Sequence, residues 1–431
     1  MQPISSKRQA PQAARLLVAL ACTVLLAACG APAWKRPVPM DQVGFTSRAV
    51  TETHGDLTVT VAVPDSNETE QLFGTSLYRD QIQPVWISIE NRSASEFLLV
   101  RPGVDENYYS PLEVSYQRHS GSRETRLEMD QFFYTQNFEN PVAANAVTSG
   151  YVFTNLDEGS KAINIDLVGD RHLENFSFVV LVPGLLTDTM RVDYDTLYDH
   201  WTDIQDFDEL RRALAALPCC TTNKDGSQNG DPLNVVMVGD RGKIFSALIR
   251  RGWHQTEVTY GASAWKTTKS FLFGTSYRYS PISPLYVFDR PQDIGLQKAR
   301  ESIHLRNHMR MWRTPYNFRG QEVYLGQISR DIGVKFNKRT ITTHAIDPDV
   351  DEARNGLAGD LAYSQSLHAF GYVPGSQVST PADTHYNLTP DPYYSDGLRL
   401  VLFFGERVVA LDEIEILNWE APNKLKSLVP H

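Results

Sequence analysis

Apolar and polar residues alternate in short bursts through the first half of the chain. In "VWISIE", Val85, Ile87 and Ile89 alternate with Trp86, Ser88 and Glu90, the period-two pattern of a half-buried strand. Comparable runs are "LTVTVAV" (57–63), "FLLVRP" (97–102), "PLEVSYQ" (111–117), "SGYVFTN" (149–155), "AINIDLV" (162–168) and "NFSFVVLVPG" (175–184), each bounded by turn-forming residues. Seven such runs with almost no helical periodicity predict an Ig-like β-sandwich over residues 49–200.

The period then changes. "DFDELRRALAAL" (206–217) combines good helix formers with an acidic first turn and is stopped by Pro218. The polar stretch 221–232, "TTNKDGSQNGDP", reads as a linker, so residues 201–231 are assigned to helix and linker. A second domain over 232–417 opens with the strand "LNVVMVG" and a helix from Asp240 whose apolar stripe, Ile244, Leu248 and Ile249, is closed by Gly252. In "HLRNHMRMW" (304–312), Leu305, Met309 and Met311 alternate with His304, Arg306, His308 and Arg310, which predicts a strand with one cationic face. Strands "EVYLGQIS", "IGVKF" and "TITTHAI" would complete an antiparallel meander. A helix from Pro348 to about Phe370 and the strand "LRLVLFF" follow, and 418–431 is a tail. The predicted class is α+β: an Ig-like β-sandwich, then an α+β domain with an antiparallel sheet.

The amino terminus alters the picture of where this chain works. Lys7, Arg8 and Arg15 precede an apolar run from Leu16 to Ala28, too short to span a bilayer comfortably and laid out like a secretory signal. Its end, Leu26-Ala27-Ala28-Cys29, resembles a bacterial lipobox. That resemblance implies cleavage after residue 28, a lipid-modified Cys29, and a tether over 29–48. Gly30, where an aspartate would signal inner-membrane retention, implies the outer membrane, facing the periplasm, with the lipid as the membrane anchor. Losing three cations and no acid with the signal takes the formal charge from −10 to about −13, which argues against nucleic acid as a partner. Of four cysteines only Cys219 and Cys220 remain unassigned; adjacent, they cannot staple distant parts of a fold, and either a vicinal disulfide or two free thiols fits.

The densest chemistry lies in "THAIDPDVDEAR" (343–354). Asp347-Pro348 fits an N-cap followed by proline at the first helical position, with Asp349, Asp351 and Glu352 in the first turn. A calcium loop does not fit, because Glu352 stands where glycine and Ala358 where glutamate would be needed. The cap leaves His344 and Arg354 unexplained. If His344 faces His308 and Arg310, with Asp347 and Asp351 above, the two imidazoles and two carboxylates suit a divalent metal, the one cofactor the sequence suggests. Arg310 and Arg354 would then hold a phosphate or carboxylate. The same residues also suit an ion-pair network fastening the helix to the sheet. Zinc-protease, SxxK acyl-enzyme and P-loop readings of 304–308, 263–266 and 239–243 each lack their companion residues.

Taken together, "PLNVVMVG", "RRGWHQ", "YSPISPLYVFDRPQDIGLQKAR", "RNHMRMWR", "THAIDPDVDEAR" and "DGLRLV" resemble, in order from Pro232 to Phe404, the C-terminal domain of the LssY family, named after a component of a type I secretion locus. Other members often join this domain to membrane-embedded lipid-phosphatase-like segments. No such segment and no PSGH-type motif is found here, so the resemblance implies no phosphatase activity, and it names no reaction. The residues that carry it are Gln292, Asp293, His308, Arg310, Trp312, Asp331, His344, Asp347, Asp351 and Arg354; Ser395 stands where threonine is expected. Three functions follow as expectations. One is an envelope lipoprotein binding an anionic ligand such as a phosphate ester, accessory to secretion or envelope-lipid handling. The second is a hydrolase with a metal on His308, His344, Asp347 and Asp351, and the third a non-catalytic adaptor among envelope or secretion-system proteins.

Overall fold

The computed structural model describes residues 34–157, 159–184, 188–256, 284–299, 306–335, 343–405 and 407–422. The signal-like segment with Cys29, His304 and the "SAWK" stretch lie outside them, as do the side chain of His344 and its surroundings.

The first half contains strands β1 (Val50–His54), β2 (Leu57–Ala62), β3 (Ile82–Asn91), β4 (Leu98–Leu99), β5 (Ala146–Asn155), β6 (Gly159–Gly169) and β7 (His172–Val182). They form two sheets, β1-β2-β3-β5 and β4-β6-β7, with every neighbouring pair antiparallel. The alternation read in β3 is real: Val85, Ile87 and Ile89 point into one core with Val59, Ile163, Ile165, Phe176 and Phe178. The Ig-like strand order is not what is seen. An immunoglobulin-type sandwich places its third strand beside the sixth, whereas β3 stays between β2 and β5.

Helices were also under-read here. Helix α1 spans Ser66–Phe73, α2 Arg101–Val104, α3 Pro111–Gln117 and α4 Arg123–Thr135. "PLEVSYQ", expected as a strand, is α3. Pro111 sits at its first position, the Ser110 hydroxyl accepts the Glu113 N–H, and the Glu113 carboxylate accepts the Ser110 N–H. This reciprocal cap outweighs a four-residue alternation. "FLLVRP" likewise supplies only the two residues of β4 before α2 begins.

The second half adds β8 (Thr202–Ile204), helix α5 (Phe207–Ala215), β9 (Cys220–Thr222), β10 (Asn229–Pro232), β11 (Val235–Gly239), helix α6 (Arg241–Arg250), β12 (His254–Gln255), β13 (Tyr286–Val287), β14 (Arg290–Pro291) and β15 (Ile294–Ala299). After these come β16 (Arg306–Phe318), β17 (Gln321–Lys335), β18 (Thr343–Ile346), helix α7 (Val350–Ala362), β19 (Leu367–Pro374), β20 (His385–Tyr386), β21 (Pro392–Tyr393), β22 (Leu398–Phe404) and β23 (Glu415–Ile416). A ten-stranded mixed sheet in the order β12-β15-β16-β17-β11-β22-β19-β23 forms its centre, with β18 added on β17 and β8 on β16. The expected meander is β16 to β18, but "EVYLGQIS" and "IGVKF" are one strand, β17. The stretch 221–232, read as a linker, is a hairpin of β9 and β10: the Asn223 side chain and Asp225 organise a turn that composition alone reports only as polar. The helix after Pro348 stops at Ala362, and Phe370 lies in β19.

One face of the large sheet, carrying Val235, Met237, Met309, Met311, Tyr324 and Ile328, packs against α6 and α7. On the other face Trp312, Val236, Val238, Val323 and Leu325 pack against α5. Helix α6 also lies against the first half, where Arg250 reaches Asp166 at 3.3 Å, and His254 beyond it reaches Asp157 at 3.2 Å. Among the described residues no helix is long and apolar enough to cross a membrane.

Candidate functional site

Alternation on β16 builds the site. Met309 and Met311 point into the helix-covered core, so Arg306, His308, Arg310 and Trp312 share the opposite face. Trp312 keeps that face apolar at one end, its indole N–H donating to the Arg290 carbonyl at 3.3 Å. Towards the other end the face turns polar. In register, Gln327 of β17 lies beside Arg310, Ser329 beside His308, and Gln297 of β15 also beside His308. All are buried, as is Asp331.

The contacts are direct. Arg310 Nη1 donates to Gln327 Oε1 at 3.0 Å, and Arg306 donates to Gln297 and approaches Asp331 at 3.5 Å. His308 Nε2 lies 3.1 Å from the same Asp331 carboxylate. Burial pushes the His308 ring down to about 4, because the Asp331 charge offsets only part of the desolvation, so the imidazole is neutral at physiological pH. Burial also lowers Arg306 and Arg310 from their ordinary values, in spite of Asp331, Asp231 and Asp188 around them. Two of those acids are themselves moved by burial: Asp231 and Asp188 both sit above the usual carboxylate range.

Beside this face is a hollow of about 390 Å³ lined by Asp188, Arg191, Val192, Asp193, Thr196 and Leu197 and by residues 290–293. Gln292 and Asp293 form its inner wall. Gln292 donates to Asp188 at 3.2 Å and accepts the Leu285 N–H, while Asp293 takes two hydrogen bonds from Arg290, 2.9 and 3.0 Å, and one from the Arg313 backbone at 2.7 Å. Asp188, on the wall of the hollow, is near enough to Arg310 to feel its charge.

The acid-rich stretch does not join this face. The N-cap of α7 is Asp349 rather than Asp347: its carboxylate accepts the N–H groups of Asp351 and Glu352. Asp347 sits two residues earlier and accepts the Asp349 N–H at 3.1 Å. Asp351 turns to the loop before β22, where it accepts the Ser395 hydroxyl at 2.9 Å and the Asp396 N–H at 2.6 Å. Arg354, with no exposed surface, closes the set by gripping Asp396 through two hydrogen bonds and lying 3.1 Å from Asp351. Burial, aided by Asp396 and opposed by Arg354, holds Asp351 up at about 6. For Arg354 the two carboxylates outweigh burial and raise it.

The expected quartet of His308, His344, Asp347 and Asp351 is thus divided: Asp351 and Arg354 form one cluster, His308, Arg310 and Asp331 another. His344 pairs by backbone with Val334 of β17, and β17 separates its strand from β16. Among the described residues no group of three or more His, Cys, Asp or Glu is placed to hold a metal ion. The phosphate-loop-like "GDRGK" is a helix start whose Asp240 carboxylate already accepts the Gly242 and Lys243 N–H groups.

Several partners were missed because they lie far off in sequence: Asp188, Asp231, Gln297, Gln327 and Asp396. Arg399 was missed too. Fully buried, it donates to the carbonyls of Leu233, Leu214, Pro218 and Gly375, and burial brings it down to about 10. The alternation in "LRLVLFF" marks it as inward-facing, which is the one signal available.

Residues 211–398, which hold both clusters, match the sequence model of the family described as LssY C-terminus. The chain carries an LssY-like C-terminal domain. A search of curated proteins found no match.

Proposed function

We propose that this chain is a cell-envelope lipoprotein, anchored through Cys29, whose LssY-like domain binds an anionic ligand, a phosphate ester by class, in an accessory role to secretion or envelope-lipid handling. One contrast supports the reading. Arg354 is matched by two carboxylates and raised, whereas Arg306 and Arg310, on one strand face, are so buried that desolvation outweighs the acids around them. Guanidinium pairs suit the planar oxygens of phosphate or carboxylate, and an anion reaching that face would meet two of them on one strand. The hollow beside Gln292 and Asp188, which Arg191 and Arg290 also line, offers room for a polar ligand.

The hydrolase reading gains no support from the described side chains, because Asp351 is committed to Ser395, Asp396 and Arg354. A thermal-shift panel of inorganic phosphate, phenyl phosphate, benzoate and phenol tests the proposal. Stabilisation by the phosphates and not by phenol is expected. A panel without any anion-dependent shift would favour the adaptor reading.

A further inference from the structure

Another hollow carries a reactive bond. Cys219 and Cys220 are joined as a disulfide and, with Asn229, Gly230, Gln377, His385, Tyr386 and Tyr393, line a cavity of about 330 Å³ between the β9–β10 and β20–β21 hairpins. Both cysteines are partly exposed. A disulfide stabilises a fold mainly by closing a loop, by an amount that grows with loop length. Adjacent residues close almost no loop, so this bond adds next to nothing to the stability of the whole. The hairpins are held together by other means: Asn387 donates to Asp231 at 3.1 Å, and Arg399 fixes the Leu233 and Pro218 carbonyls. A bond that is not needed for the fold, reachable by solvent and placed on the wall of a small cavity, is positioned for chemistry.

We propose that Cys219–Cys220 is a thiol–disulfide exchange site that accepts a small, uncharged dithiol. The lining has no Asp, Glu, Lys or Arg, in a chain of which 21% is charged, so nothing there compensates a ligand charge. Tyr386 and Tyr393 offer apolar ring faces, and His385, its ring 6.0 Å from that of Tyr393, is the imidazole available to take a thiol proton. A thiolate of the ligand attacks one cysteine sulfur. The Cys219–Cys220 bond breaks, a mixed disulfide forms, and the other cysteine leaves as a thiolate that is protonated. The ligand's second thiol then attacks the mixed disulfide and departs as the ligand's own disulfide. Two electrons and two protons pass to the protein, which ends with two thiols.

The test uses the full chain, oxidised and folded, with iodoacetamide trapping and peptide mapping of Cys219 and Cys220. Without reductant neither cysteine should be alkylated. With dithiothreitol both should be, several-fold faster than with the anionic dithiol dimercaptopropanesulfonate, and His385→Gln should slow the reaction by about a hundredfold at unchanged circular dichroism. Alkylation without reductant would overturn the proposal. So would equal rates for the two dithiols, or rates unaffected by His385→Gln.

Discussion

Arg354 and Asp396 meet through two hydrogen bonds of 2.8 and 3.0 Å although 42 residues separate them. With Asp351 and Ser395 they clamp the start of α7 onto the loop before β22. Asp396→Ala would leave the Arg354 guanidinium buried with one carboxylate fewer. Removing one partner of a buried pair costs about 3–5 kcal/mol, so the urea midpoint should fall accordingly. A change below about 1 kcal/mol would show the clamp to be dispensable.

Asp351 is held near 6 in the fold, against about 3.9 in an unfolded chain. Between these values the folded state binds more protons, so this group's contribution to stability falls as pH rises from about 4 to about 6. Urea unfolding of the wild type and of Asp351→Asn across that window should differ by a slope of that sign, and parallel profiles would refute the assignment.

His308 contributes with the opposite sign. Its folded value of about 4 lies below the unfolded value of about 6.5, so the unfolded state binds more protons between them and stability is lost as pH falls. The two contributions oppose each other over much the same window, so each must be read from its own variant. A ring titration by NMR is the direct check: the His308 signals should stay those of neutral imidazole down to about pH 5.

Lipid attachment has its own test. Cells expressing the chain should incorporate labelled palmitate into it, and Cys29→Ser should abolish the incorporation. Label retained in that variant would end the lipoprotein reading.

Much of the second half is legible in the chain because its signals are local. The alternation of Met309 and Met311 with Arg306, His308 and Arg310 correctly sorts β16 into a core face and a cationic face. Asp240 and Gly252 bracket α6 as helix-cap chemistry requires. What local pattern does not reveal is the partner. Asp351 looks like a companion of the nearby His344, but its hydrogen bonds go to Ser395 and Asp396, brought close only when β22 joins the sheet. The same limit hides Asp188 behind Gln292. In the first half, a strand-like alternation in 111–117 yields to a cap at Ser110, and the strand order departs from the Ig type because β3 stays in the sheet of β1 and β2 and pairs with β5.

Calorimetric titration of phenyl phosphate into the wild type and into Arg310→Gln, with Arg354→Gln as a control for general loss of structure, tests the central claim most directly. The wild type should bind one equivalent, and Arg310→Gln should lose about 1.5–3 kcal/mol, as expected for a hydrogen bond to a charged group. Equal affinity in the wild type and in a folded Arg310→Gln protein, or no heat in either, would contradict it.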